Sequence, residues 1–157
     1  MGLVICYATG AHGKLSDLEL EAVKDASIIF NLDVCLIYAL QEGEGGSTGF
    51  DTHHSNGSID TGLAQIKKGG VWMDLLKNEY GIEHVTLRDN GAVNILSSAF
   101  ILRTELDRTE DIILALSAYH RGFGNRFSKL GLQYSNRLMS VYKRVSSSSI
   151  CKTLHKL

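Results

Sequence analysis

Hydrophobic positions recur at helical spacing over most of this chain. Leu18, Ala22, Val23, Ala26, Ile29 and Phe30 form one such series, the mark of a helix with one buried face. Ser16-Asp17-Leu18-Glu19 precedes it with the form of a capping box, a hydroxyl for the free amides and a glutamate three residues on. Asn31-Leu32-Asp33 interrupts the pattern, and Asp33 can cap a second helix. That helix, 34 to about 42, is apolar nearly all round through Val34, Cys35, Leu36, Ile37, Ala39 and Leu40. A helix without a polar face is buried. Further helical stretches are predicted over 71–80, over 90–106, from Ile112 to beyond Tyr119 behind a Thr109-Glu110-Asp111 cap, and over about 132–145.

Between the second and third helices the pattern breaks down. Eight of the 16 glycines fall in 43–70, where glycine lets backbone pass close to a ligand or to other backbone. A small hairpin is expected near 49–62. Ser146 to Ser149 reads as low complexity and opens a flexible basic tail over 146–157. The start, Leu3-Val4-Ile5-Cys6-Tyr7-Ala8, is apolar but lacks a charged leading region, so residues 1–15 are read as an N-terminal arm or a weak signal-like segment. There is no repeat and no linker. The expectation is one α+β domain, mainly α, over 16–145.

Composition narrows the classes. The chain has 157 residues, 44% hydrophobic and 21% charged, enough for a core without staples. There is no proline, which excludes collagen-like and proline-rich classes. No apolar run reaches the roughly 18 residues of a membrane span. The net charge of −1 hides an asymmetry: all 17 acids lie in 1–111, and eight bases with no acid follow. Such an end is a solvated face or a holder of an anionic polymer. Three cysteines, Cys6, Cys35 and Cys151, allow one bridge at most. Cys35, in an apolar stretch, reads as a buried small hydrophobe rather than a nucleophile.

The chemistry concentrates at the end of the buried second helix. Residues 25–66 contain no lysine or arginine, yet hold Asp25, Asp33, Glu42, Glu44, Asp51 and Asp60. Carboxylates in low dielectric without a cation favour the protonated form. A carboxylic acid still protonated near neutral pH can donate to a glycosidic oxygen. The polar loop then returns Asp60 to the same region. Asp51 with His53-His54 could suggest a metal, but adjacent histidines face apart and no further ligand spacing follows. No phosphate loop, zinc pattern or Ser-His-Asp order is present.

The segment Asn56-Gly57-Ser58-Ile59-Asp60-Thr61-Gly62-Leu63-Ala64-Gln65-Ile66 resembles the lysozyme superfamily, and is most similar to the lytic transglycosylases of type III and type IV secretion systems. The family pattern is an apolar helix, a Glu-Ser-Gly turn, then a stretch close to Asn-Gly-Ser-x-Asp-x-Gly-Leu-Met-Gln-Ile, from which this chain departs at Ala64. Ala118-Tyr119-His120-Arg121-Gly122 resembles the later Ala-Tyr-Asn-x-Gly motif, and a closing tyrosine–valine stretch is similar to 134–145. The likeness runs from about 23 to 145 in the family's order.

The resemblance implies a lysozyme-like fold and cleavage of the β-1,4 bond between N-acetylmuramic acid and N-acetylglucosamine in peptidoglycan. Counting from Leu36-Ile37 lands the catalytic glutamate on Glu44; taking Glu42 requires a shift. Gly62, Gln65 and Ile66 would line the cleft, with Gln65 on sugar and Tyr119 across from Glu44. Trp72 would pack under the cleft or in the core. Gly45 stands where the family has a serine that positions the sugar, and His120 where it has asparagine. Leu87-Arg88-Asp89-Asn90 lacks the family's cysteine, which leaves Cys6 without its expected partner. A hydrolytic muramidase using Asp60, and a lysozyme-fold protein that binds without turnover, are the alternatives. The reading needs no cofactor and no metal. It expects peptidoglycan glycan strands as partner, alongside a secretion, conjugation or virion assembly, and no nucleic acid. It expects a monomer in the periplasm or cell envelope, or on a virion.

Overall fold

The computed structural model describes residues 15–155. The expectations for the N-terminal arm and for Cys6 fall on 1–14, outside the described residues. The rest is mainly helical with one small antiparallel sheet. Helix α1 spans Asp17–Phe30, α2 Val34–Glu44, α3 Val71–Tyr80, α4 His84–Asp89, α5 Gly91–Thr109, α6 Ile112–Arg121, α7 Lys129–Ser146 and α8 Ser149–Leu154. A single 3-10 turn, Phe123–Asn125, separates α6 from α7. Strands β1 (Asp51–His53), β2 (Ile59–Thr61) and β3 (Ile66–Lys67) lie in the order β1-β2-β3.

The helix starts follow from side chains that fill the orphan amides of a first turn. The Ser16–Glu19 capping box forms in both directions. Asp33 accepts from the amides of Cys35 and Leu36 at the head of α2. Asn90 and Asp111 cap α5 and α6 in the same way. Helix α2 runs two residues further than its apolar pattern suggests, so Glu44 is its last residue, with Gly45 as C-cap.

Two cores share α5 as a wall. Ile95, Ala99 and Leu102 of α5 join α1, α2, α6 and α7 in the larger one, around the fully buried Val23, Ile37, Leu40, Leu116 and Leu138. Ile101 joins the smaller one, with Ala64, Ile66, Met73, Leu76 and Leu87. The smaller core fastens the sheet and α3 to the helical body.

The fastening is also polar. Asn94 of α5 is fully buried. Its carbonyl accepts from the amide of Ala64 at 2.8 Å, and its amide donates to the carbonyls of Thr61 and Leu87 at 3.1 and 3.0 Å. One side chain thus serves the end of β2, the connection to β3, and α4. Gly62 sits over it with φ 69°, and a Cβ there would stand 2.4 Å from the Asn94 amide nitrogen. Gly46 approaches from the other side: its amide donates to the Leu63 carbonyl, and a Cβ would lie 1.9 Å from the Gly62 carbonyl oxygen. Glycine at both positions lets the end of α2, the sheet connection and α4 meet backbone to backbone, with the Asn94 side chain of α5 closing on Gly62.

Three features differ from the sequence expectation. Helix α4 and strand β3 are too short for periodicity to reveal. Within the expected flexible tail over 146–157, Ser149–Leu154 instead form α8, capped by Ser148, with Cys151 and Leu154 buried. The serine run that reads as low complexity therefore holds a helix cap. Cys35 is buried as expected, but it is bonded to Cys151, so the short last helix is stapled to the start of α2.

The Asn94 contacts generate a test. Asn94→Leu keeps the branched shape but leaves one amide and two carbonyls buried without partners, at about 1–3 kcal/mol each before relaxation. We expect a loss of about 2–5 kcal/mol in urea unfolding, against less than about 0.5 kcal/mol for the exposed Asn136→Ala.

Candidate functional site

The sheet and the helical body enclose an open cleft of about 800 Å³, in the upper range of small-ligand sites. Its lining includes His54, Asn56 and Asp60 from the sheet, Gln65, Ile66 and Trp72 from the stretch that follows, and Glu44, Tyr119 and His120 from the helical body. Glu42 is not in it; its carboxylate pairs with Arg144 at 2.6 Å. The structure thus brings Glu44, Asp60, Gln65, Ile66 and Tyr119 together. Gly62 is placed differently from its expected role: it packs against Asn94 and Leu87 beneath the surface, supporting the cleft without lining it.

Glu44 enters the cleft because α2 ends there. Glu44 is partly buried at the cleft, and loss of hydration is the dominant influence on its carboxyl. Burial, with a smaller push from the Asp60 charge, raises its pKa from the ordinary 4.5 to about 7. The Tyr134 hydroxyl and Arg137 oppose that rise. The C-terminal end of a helix dipole acts in the same direction as burial. Among the described residues no ion pair like that of Glu42 forms at Glu44: Arg137 donates to the Gly43 carbonyl at 2.9 Å instead.

Two tyrosines flank the acid. Tyr134 of α7 donates its hydroxyl to Oε1 of Glu44 in a short hydrogen bond. Tyr119 of α6 donates to the carbonyl of Ala64 at 3.0 Å, so its hydroxyl is engaged with the sheet connection. Burial and the Glu44 charge hold both phenols well above their ordinary pKa, and both remain donors at any physiological pH. His120 stacks flat on Tyr134, ring centres 4.3 Å apart and planes 2° from parallel. Burial, then Arg121 and Arg137, lower its pKa and favour the neutral imidazole.

Asp60 is hydrogen-bonded to His54, Nε2 to Oδ2 at 2.7 Å. Asp51 is likewise paired with His84 at 3.1 Å and accepts from the Thr61 hydroxyl. His54 and Asp51 are thus engaged in separate carboxylate pairs on the sheet. Gln65, at φ 51°, donates its side-chain amide back to the Gly62 carbonyl at 2.8 Å, which leaves its carbonyl oxygen for a ligand. Trp72 does both things expected of it, lining the cleft and meeting Phe100 edge-on at 6.3 Å.

Sequence reasoning missed Tyr134 as a site residue. Its signal is modest: it shares a buried face of α7 with Gly131, Ser135 and Leu138, spacing that marks core as readily as site. His54 was weighed only as a metal ligand. Much of the acid-free end also works inside the molecule. Arg144 and Arg137 hold the last turn of α2, and Arg126 stands over the Phe123 ring at 4.0 Å. In comparisons with known proteins, neither a family model nor a curated relative matches the chain.

The raised pKa of Glu44 makes stability depend on pH. The folded carboxyl keeps its proton to about pH 7, whereas the unfolded one releases it near 4.5. The folded state therefore binds more protons in that window, and its stability falls as pH rises through it. Glu44→Gln removes the titration. We expect the variant to match wild type in urea unfolding at pH 4, and to exceed it by about 1–3 kcal/mol at pH 8.5, a range discounted for the exposure of the carboxyl.

Proposed function

We propose that the chain is a lysozyme-like peptidoglycan lytic transglycosylase, cleaving the β-1,4 bond between N-acetylmuramic acid and N-acetylglucosamine. The observation that carries this is the Glu44 carboxyl, held near a pKa of 7 at the side of an open cleft. A helical body, a small antiparallel sheet and a cleft between them support the lysozyme-like fold, and the resemblance over 56–66 supports the substrate.

Glu44, protonated, donates to the glycosidic oxygen as the bond to the muramoyl C1 breaks. The oxocarbenium-like sugar is then captured by its own C6 hydroxyl, and the Glu44 carboxylate takes that hydroxyl's proton. The leaving strand gains a hydroxyl, the muramoyl residue closes as a 1,6-anhydro ring, and no water is consumed. A pKa near 7 suits a group that must give and then take a proton. The Tyr134 hydroxyl, donating to Oε1, stabilises the carboxylate between the two steps and fixes which oxygen faces the sugar. The resemblance would place Gln65 on sugar, and its free carbonyl suits that contact. Gly45, in place of serine, leaves sugar positioning to neighbouring groups, with neutral His120 also lining the cleft.

Asp60 favours a second reading. It faces the same cleft, and a hydrolytic muramidase uses a second carboxylate as nucleophile or ion stabiliser. Its bond to His54 occupies one oxygen, which suits charge stabilisation better than attack. The proposed setting is the cell envelope, periplasm or virion, with a secretion, conjugation or virion assembly as protein partner.

Digestion of purified sacculi by wild type and Glu44→Gln, read by mass spectrometry, tests the proposal. We expect wild-type muropeptides one water lighter than hydrolysis products, and at least a hundredfold loss of release in the variant. Reducing-end products from wild type would establish the hydrolase instead. Equal release by both proteins would exclude Glu44, and no release by wild type would leave the binding protein.

A further inference from the structure

The disulfide lies in a chemical setting that a structural staple does not require. Asp33 caps α2, Cys35 is that helix's second residue, Cys151 lies in α8, and His155 is the C-cap of α8. None of the four lines the cleft. His155 places Nε2 3.4 Å from Sγ of Cys35. Donor atoms of Asp33, Cys35 and His155 all lie within 4.8 Å of one another. Sγ of Cys151, bonded to Sγ of Cys35, adjoins the group without belonging to it. One sulfur, one imidazole and one carboxylate therefore share one small volume, with a second sulfur bonded at its edge, supplied by two helix ends that are far apart in sequence.

That donor set is what zinc takes in tetrahedral sites. Zn–S bonds of about 2.3 Å and Zn–N or Zn–O bonds of about 2.0–2.1 Å imply tetrahedron edges of roughly 3.4–3.8 Å. The edge from Cys35 Sγ to His155 Nε2 already has that length. Breaking the sulfur–sulfur bond lets the edge between the two sulfurs open to it and frees Cys151 Sγ to turn toward His155 and Asp33. Asp33 can contribute without giving up its cap: Oδ1 accepts from the amides of Cys35 and Leu36, while Oδ2 accepts only the Tyr142 hydroxyl at 3.2 Å among the described residues. The sulfurs are buried, whereas Asp33 and His155 are exposed, which gives an ion a route in from solvent. Soft thiolates with imidazole select zinc over magnesium or calcium.

We propose that this cluster is a redox-gated zinc site: oxidised, it is the Cys35–Cys151 disulfide; reduced, it holds one Zn²⁺ through Cys35, Cys151, His155 and Asp33. The reductant is a dithiol. It passes two electrons and two protons to the bridge, giving two cysteine thiols and its own disulfide. Zinc then binds as the two thiols release their protons to solvent. In either state α8 is fastened to the head of α2, so the chain holds its last helix both in reducing surroundings and after oxidation. The site is independent of glycan cleavage, and its test reads metal binding alone.

The test uses the full chain carrying Cys6→Ser, so that only the two site thiols remain. Protein reduced with a dithiol, desalted without oxygen and titrated with Co²⁺ as a spectroscopic stand-in for zinc should show a thiolate-to-cobalt charge-transfer band and tetrahedral d–d bands. Both should saturate at one equivalent and be bleached by one equivalent of Zn²⁺. The oxidised protein should show neither. Cys151→Ser should lose most of the charge-transfer intensity, and His155→Ala should weaken binding roughly tenfold or more. Circular dichroism on the same samples keeps the test decisive: if reduction loosens the fold, cobalt should restore helicity. Absence of the bands in the reduced protein overturns the proposal. So does binding that is unchanged in His155→Ala, or equally strong in the oxidised protein.

Discussion

The buried amide of Asn94 ties the two parts of this molecule together. Its three hydrogen bonds join the end of β2, the turn into β3 and the end of α4 to the central helix α5. A buried amide that finds partners for its donors and acceptor rigidifies whatever it joins. Here the joined pieces are short: strands of three, three and two residues cannot stand alone. They need the smaller core beneath them and this one side chain beside them. With the sheet fixed, a cleft exists between it and the helices, and everything chemical follows from what projects into that cleft.

What projects is an acid kept from water. Helix α2 is apolar nearly all round, so it is buried, and its last residue meets the cleft with little hydration. The rise of the Glu44 pKa to about 7 is the consequence. Arginines lie close, yet they are spent elsewhere, Arg144 on Glu42 and Arg137 on the Gly43 carbonyl. That division of partners separates two glutamates only two residues apart. One is an ion pair at the helix surface; the other is a carboxyl whose pKa burial raises to about 7, with a tyrosine hydroxyl on Oε1. The proposed glycan chemistry asks for that second kind of group.

The helices were legible because their signals are local. Ser16, Asp33, Asn90 and Asp111 announce helix starts, and apolar spacing does the rest. Position marked six acids in a stretch without lysine or arginine, and the register of the resemblance singled out Glu44 and Asp60 among them. Tyr134 was not, because its role depends on α7 crossing the end of α2, a contact 90 residues apart in sequence. Asn94 was hidden for the same reason, and because a polar residue within a helical pattern reads as a surface position. Helix α8 was masked by serines that look like a linker until Ser148 is seen accepting from the Cys151 amide. The Cys35–Cys151 pairing joins residues 116 apart, beyond anything local patterning reveals.

The account rests on Glu44 carrying its proton to near neutrality, and carbon-13 NMR reads that directly. With glutamate labelled at the side-chain carboxyl, and Glu44→Gln identifying the resonance, a titration from pH 3 to pH 9 gives the midpoint of this one group. The account predicts a midpoint near 7, well separated from the exposed glutamates. A midpoint near 4.5 would contradict it, because Glu44 would then be a solvated carboxylate with no proton to give at neutral pH.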